Sequence, residues 1–332
     1  MHTPLADDFA SLAVEHDFVP VYRRLLSDTL TPVTAFRLLD DGGPCCLFES
    51  VIGGEKVGRY SFLAADPVRR FSAKREQIEV TEASDGSTTR STATDPLDAF
   101  RSHFHYRVAR PEGLPPFVAG AIGYAGYDVV RYVENLPNSP LDDRDLPDLD
   151  FGFYHTLCVF DHVDKTVTVV SLADCRQANK AEQANQAYAQ ATQQVDQTIT
   201  KLSDSSRRSA GPDEWNPDEW KLQSQANPLE VRSNFTREAF ESAVLECVEY
   251  IRAGDIFQVV PSQRLSVKTG VDPFEIYRSL RVVNPSPFMF YVRTPDCELV
   301  GCSPEIMCRV ADQTVTVRPL AGTRRRGKNA KE

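Results

Sequence analysis

Residues 203–232, SDSSRRSAGPDEWNPDEWKLQSQANPLEVR, carry Ser, Pro, Asp and Trp with no apolar repeat of helical or strand period. Compact domains rarely tolerate so long a connection without regular structure, so the stretch predicts a linker. It splits the 332 residues into two blocks that must each bury apolar surface. The expected division is 1–202, a linker over 203–232, and 233–332.

In the first block the apolar spacing of FASLAVEHDFVPVYRRLL predicts one or two amphipathic helices within 8–29, with Pro20 as a break. The β-branched run Thr31–Asp40 reads as a strand stopped by Asp41-Gly42-Gly43-Pro44. Cys45–Val51 and Arg59–Ala64 read as strands joined by a Gly-rich turn, a hairpin-like pattern. Lys74–Thr81 alternates weakly as a strand, Glu82–Ser91 is a polar turn, and Asp95-Pro96 opens a short helix. Pro115–Tyr127 holds three glycines in a small, apolar run, as a strand with close backbone approach requires, and Asp128–Glu134 continues as a short helix. Phe151–Phe160 and Val163–Leu172 predict a hairpin, and Cys175–Leu202 a surface helix with a sparse apolar stripe.

After the linker the pattern sharpens. Thr236 can cap a helix whose face carries Phe240, Val244, Leu245, Val248 and Ile251, and Gly254 stands where such a helix stops. Ile256–Val267 reads as a strand interrupted by Pro261, Pro273–Val283 as a second helix, and Phe288–Arg293, Glu298–Gly301, Ile306–Val310 and Thr314–Arg318 as an antiparallel set. No βαβ signature is present. The fold class is α+β, with mixed and antiparallel sheets and flanking helices.

Several function classes drop out. A formal charge of -10 argues against an indiscriminate nucleic-acid binder. No apolar run reaches the roughly 18–20 residues of a membrane span, and the acidic start lacks a signal peptide's basic and apolar regions, so no membrane is expected and the cytoplasm is the default location. The eight cysteines form no C-x-x-C and no zinc spacing with histidine, and read as reduced, mostly buried thiols. All six histidines precede residue 163.

Two groups of residues remain. Glu49 and Ser50 close an apolar strand, either as an exposed strand end or as a polar contact at the mouth of a small-molecule pocket. Glu305, Gly322, Thr323 and the run Arg324-Arg325-Arg326 either form a solvated turn or supply N–H, hydroxyl and guanidinium donors for a carboxylate. Glu305 could then bond a substrate hydroxyl or act as an acid.

The strings LFESVIGGEKVGRYSFLAADP (Leu47–Pro67), GAIGYAGYDVVRYVENLP (Gly120–Pro137), RAGDIFQVVPSQR (Arg252–Arg264), NPSPFMFY (Asn284–Tyr291), GCSPE (Gly301–Glu305) and PLAGTRRRG (Pro319–Gly327) occur in this order. Together they resemble the large, chorismate-binding subunit (component I) of the anthranilate synthases, with Phe48 where the family commonly has Leu. The resemblance implies a lyase that aminates chorismate and eliminates pyruvate to give anthranilate, the first step of tryptophan biosynthesis. Ammonia would come from glutamine through a partner amidotransferase, component II. It further implies a regulatory domain over 1–202 and the start of a chorismate-binding catalytic domain over 233–332.

Carried over residue by residue, Glu305 would be catalytic and line the site, and Gly322 and Thr323 would contact chorismate. Glu49, Ser50, Pro287, Phe288 and Met289 would form an allosteric pocket for L-tryptophan, the feedback inhibitor. Ala321 stands where aminodeoxychorismate synthases carry a nucleophilic lysine, and Gln258 where isochorismate- and salicylate-forming relatives carry a lysine base; both favour anthranilate synthesis. The family's catalytic histidine and Mg2+ ligands are expected beyond residue 332. The chain therefore resembles a fragment that is inactive alone, with a non-catalytic tryptophan-binding module as the alternative.

Overall fold

A computed structural model describes residues 1–50, 58–177, 181–204, 229–311, 313–318, 325, 327 and 328. Helix α1, Ala6–Glu15, places Asp7 and Asp8 in its first turn, next to the partial positive charge of the helix start. The helical reading of 8–29 holds only that far, because β1, Phe18–Leu26, takes over. Residues Phe18–Tyr22 are buried without a break, which a two-faced sheet strand tolerates and an amphipathic surface helix does not. Pro20 fits this strand because β1 is an outer strand of its sheet. Tyr22, of the same parity, exchanges both backbone bonds with Thr3 on the outer side, so the N–H that Pro20 lacks would have pointed away from the sheet.

The strand expected over Thr31–Asp40 is instead helix α2, Pro32–Leu39. Thr31 accepts from the Thr34 N–H at 3.1 Å, and Pro32 sits at the first helical position. The cap and the burial of Ala35, Phe36, Leu38 and Leu39 outweigh the β preference of Val33 and Thr34.

Strands β2 (Cys45–Glu49) and β3 (Tyr60–Ala65) pair antiparallel, as the hairpin-like pattern predicts. Strands β4 (Arg69–Lys74) and β5 (Gln77–Glu82) replace the single strand expected over Lys74–Thr81, the chain reversing at Arg75 with φ 52°. Part of the expected polar turn is strand β6, Thr88–Thr92. The short helix α3 spans Pro96–Arg101, with the Asp95 carboxylate accepting from the N–H groups of Leu97 and Asp98. Strand β7 (Gly120–Ala125) pairs with β8 (Leu149–Tyr154) and requires Gly123, since a Cβ there would meet Asp150 O at 1.9 Å. A 3-10 turn over Tyr127–Tyr132 follows β7.

The run Phe151–Phe160 is not one hairpin arm. It breaks at His155 into β8 and β9 (Thr156–Asp161), which belong to different sheets, and β9 alone pairs with β10 (Thr166–Asp174). Helix α4 covers Ala181–Ser203.

Beyond the polar stretch come β11 (Val231–Ser233), α5 (Arg237–Ala253), β12 (Leu265–Val267), α6 (Pro273–Val283), β13 (Phe288–Arg293), β14 (Glu298–Ser303), β15 (Arg309–Ala311) and β16 (Thr314–Thr316). The long strand expected over Ile256–Val267 shrinks to β12. Its only partner among the described residues, β11, is three residues long, and Pro261 cannot donate to a ladder.

Two sheets dominate. One has the order β1-β10-β9-β3-β2-β13-β14 and the other β6-β5-β4-β8-β7, and the strand pairs within both are antiparallel. Strands β13 and β14 lie after the polar stretch yet complete the first sheet. Accordingly, the compact units are Met1–Ser209 with Pro273–Glu332, and Ala210–Asp272, rather than two blocks in chain order. The physical reason is the edge of β2, whose unpaired N–H and C=O groups are satisfied by β13. The core on this face stacks Phe36 on Phe274 at 4.0 Å, with Tyr291 edge-on to both rings.

The unit Ala210–Asp272 holds α5 and the β11–β12 pair. Thr236 caps α5 by accepting from Ala239 N at 3.2 Å, and Gly254 ends it at φ 86°, both as expected. No α5 residue is buried.

Candidate effector cluster and substrate segments

Glu49 ends β2 in the middle of the seven-stranded sheet, directly opposite Met289 of β13. Both are buried, at 5% and 1% exposure, so Glu49 is not an exposed strand end. Two segments that lie far apart in sequence, around Glu49-Ser50 and Pro287-Phe288-Met289, are thereby neighbours. Ser50 follows immediately after β2 and, like Pro287 and Phe288, is half-buried.

A buried carboxylate must be paired. Helix α6 supplies the partners: Tyr277 Oη donates to Glu49 Oε2 at 2.6 Å and Arg281 Nη2 donates to Oε1 at 3.1 Å. Arg281 Nε lies 2.8 Å from Oε2 but off the hydrogen-bonding direction, so that contact is an ion pair only. Tyr277 is fully buried, and its phenol is driven well above the usual range by burial and then by the Glu49 charge. It stays a neutral donor. Sequence reasoning missed Tyr277 and Arg281. The available signal was a hydroxyl and a guanidinium four residues apart, on one face of a helix preceding NPSPFM.

Further ion pairs fix the same elements. Arg37 of α2 bonds Glu275 of α6 at 2.6 Å, and Arg293 of β13 bonds Asp40 at 2.6 Å. Burial would raise the Glu275 carboxyl, but hydrogen bonds from Arg37 and Arg278 outweigh it and hold the group below its ordinary value. Beside β3, His162 Nε2 and Ser61 Oγ share a 2.7 Å hydrogen bond. Burial lowers the His162 pKa, partly opposed by the Glu49 charge.

The turn into β13 is equally tied. Ser286 Oγ donates to Ser303 O and accepts from Phe288 N, and Asn284 Nδ2 donates to Cys302 Sγ at 3.1 Å. Gly301, opposite Phe290, leaves room for that ring; a Cβ there would come within 2.2 Å of it.

The segments expected to meet substrate are less assembled. Glu305 follows β14, half-buried, with its N–H donating to Ser303 Oγ at 3.3 Å. Gln258 lies exposed in the irregular stretch after α5, in the other compact unit. Ala321, Gly322, Thr323, Arg324 and Arg326 fall outside the described residues, as does most of the expected linker; Arg325 is exposed. Among the described residues no group of three or more His, Cys, Asp or Glu converges as a metal site, so they do not fit an Mg2+ ion. Burial pushes the thiols of Cys45 and Cys158 up to about 12, which leaves them protonated and unreactive. Among the described residues no helix is long and apolar enough to cross a membrane.

A family model described as "chorismate binding enzyme" matches residues 43–332. The chain is 40% identical over 333 residues to a chloroplastic anthranilate synthase alpha subunit 1 of Oryza sativa subsp. indica, covering 95% of this chain and 56% of the relative. It is 34% identical over 335 residues to anthranilate synthase component 1 of Acetivibrio thermocellus, covering 100% of this chain and 65% of that one. The crystal structure of anthranilate synthase component I from Streptococcus pneumoniae TIGR4 superposes with a TM-score of 0.61 at 26% identity, over 89% of this chain and 60% of its own. The chain thus spans a little over half to about two thirds of the length of these relatives.

Proposed function

The chain belongs to the family of chorismate-binding enzymes, and from that premise we propose that it carries the tryptophan-responsive part and one wall of the chorismate site of an anthranilate synthase component I. The whole protein's reaction is then the amination of chorismate by ammonia and the elimination of pyruvate, giving anthranilate for tryptophan biosynthesis. A glutamine amidotransferase, component II, supplies the ammonia, and Mg2+ takes part. The location is the cytoplasm, although the rice relative is chloroplastic by name.

One observation carries the reading: the direct pairing of Glu49 with Met289. It sets the two segments assigned to tryptophan side by side, with Ser50, Pro287 and Phe288 at the same strand ends. In this reading the side chain of Glu49 does not itself hold the effector. Its carboxylate is taken by Tyr277 and Arg281, which makes it the link between the pocket and α6. Tryptophan binding at the strand ends would bias the position of α6 and so inhibit.

For the chemistry, Glu305 lines the chorismate site, and Gly322 and Thr323 donate to a substrate carboxylate. Ala321 cannot form a covalent adduct, so free ammonia attacks. Neutral Gln258 cannot serve as a base for water. A second reading, a tryptophan-binding module without catalysis, is favoured by the fact that the effector residues all belong to one compact unit. An aminodeoxychorismate synthase is disfavoured by Ala321.

The test is to titrate the 332-residue polypeptide with L-tryptophan by calorimetry, and to follow anthranilate fluorescence with chorismate, ammonia and Mg2+. The chain spans 56% and 65% of the two relatives and its described residues converge on no metal site, so the expected result is saturable tryptophan binding and no anthranilate. Anthranilate formation by this polypeptide alone would overturn the assignment of only one wall of the chorismate site to it, and absent tryptophan binding would overturn the effector pocket. Joining residues 1–332 to the remainder of a relative such as the Acetivibrio subunit separates the two readings: restored turnover supports the synthase, continued inactivity the module.

A further inference from the structure

A cavity of about 610 Å³ lies apart from the residues discussed above, at the corner where β8 passes into β9 at His155. Its other wall is the irregular segment 105–119. Protein interiors seldom contain voids larger than a water molecule, whereas small-molecule pockets run from about 300 to 1,000 Å³.

The wall is held open. Arg107 N donates to Asp17 Oδ2 at 2.7 Å, Phe18 N to Arg107 O at 3.1 Å, and Ala109 N to Phe18 O at 2.9 Å. Three prolines, Pro111, Pro115 and Pro116, fix φ along the rest of the segment and limit its collapse into the space.

The lining has a definite chemistry. Phe18, Tyr106 and Phe117 offer aromatic surface, with Tyr106 edge-on to Phe18 at 5.2 Å. Two of the cations in the wall are already neutralised: Arg176 forms a two-point pair with Asp174 at 2.9 and 2.6 Å, and Arg69 bonds Glu82 at 2.6 Å. Arg110 has no acidic partner among the described residues, so it leaves one uncompensated positive charge in the lining. His103 and His155 also face the space, and among the described residues neither ring makes a hydrogen bond. Burial lowers both pKa values, so each ring is a neutral imidazole with one donor and one acceptor to offer.

We propose that this cavity is a binding site for a small planar aromatic monoanion, its ring held among Phe18, Tyr106 and Phe117, its carboxylate at Arg110, and a ring hydroxyl at His155. None of these residues belongs to the Glu49–Met289 cluster or to the substrate segments, so the site stands or falls independently of the function proposed above.

Calorimetric titration of the 332-residue chain with 6-hydroxy-2-naphthoate, and with 2-naphthol as the equivalent lacking a carboxylate, tests it. The expected result is that the acid binds on the order of tenfold tighter than the naphthol. Arg110→Gln, at an exposed position, should remove that difference while leaving the melting temperature unchanged. Leu114→Trp, which fills the space, should abolish binding of both, and saturating L-tryptophan should not compete. Three results would each overturn the proposal: no binding of the acid at millimolar concentration, an advantage that persists in Arg110→Gln, or competition by L-tryptophan.

Discussion

Around β2 and β13, every charge that enters the sheet interior is met by a partner from a different element, and the apolar residues are almost fully enclosed. The unit Ala210–Asp272 has a well-formed helix with a proper cap and stop, yet Leu245 of α5 is 67% exposed and no α5 residue is buried. Both regions obey the same local rules of propensity, capping and periodicity. They differ in whether those rules are backed by burial. Local signals suffice to form a helix, but most helical stability in proteins comes from packing an amphipathic face. Stability in the first region should therefore be cooperative and sensitive to single atoms, and in the second local and shallow.

The largest effect should come from the buried carboxylate. Glu49→Ala leaves Arg281 and the Tyr277 hydroxyl unpartnered in the sheet interior, and we expect a loss of about 3 kcal/mol by urea unfolding, together with weaker tryptophan binding. Glu49→Gln, which retains an acceptor for Tyr277, should cost less. Equal stability of all three proteins would show that the buried carboxylate does not hold β2 to α6.

Gly301→Ala comes next. The added methyl meets the Phe290 ring across the β13–β14 pair, and the ring can swing only by disturbing its neighbours. A loss of about 1–3 kcal/mol is expected, read as a lower thermal midpoint.

The third prediction concerns pH. The folded pKa of His162 is depressed below its ordinary value of 6.5, so the unfolded chain binds the proton more readily. The stability that this neutral imidazole contributes is present above pH 6.5 and is lost as pH falls through the folded value. His162→Asn, which can keep a hydrogen bond to Ser61, should reduce the loss of stability as pH falls below 6.5, read by urea unfolding at a series of pH values. An unchanged slope would remove His162 from the group of coupled charges.

The smallest effects belong to the second unit. Thr236→Ala should cost about 1 kcal/mol, seen as faster hydrogen exchange in α5 and not in β13. Breaking the exposed Arg237–Glu241 pair by Arg237→Ala should leave the thermal midpoint unchanged. Global destabilisation by either would show that α5 is as strongly coupled as the sheet.

Legibility in the sequence followed the range of the interactions. The cap at Thr236, the stop at Gly254 and the close approach at Gly123 were readable because each is set by one residue and its near neighbours. Thr31–Asp40 was misread because β-branched residues were weighed above the Thr-Pro start that caps α2. The break at His155 was invisible because β8 and β9 carry the same apolar pattern, and only their partners distinguish the sheets. In the candidate site, Glu49 and Met289 were singled out through the motifs that contain them, and the structure pairs them across β2 and β13. Tyr277 and Arg281 were not, since nothing in a helix sequence says which carboxylate it will meet.

By itself, then, the sequence determined the α+β class, the cap and stop of α5 and the family to which residues 43–332 belong. Those follow from short-range stereochemistry and from long ordered strings of motif. Tertiary structure alone decided that the segment after residue 273 joins the N-terminal sheet, and that Glu49 is buried against α6. The reason is that strand edges and buried charges are satisfied by whatever partner folding brings to them, and distance along the chain does not encode that choice.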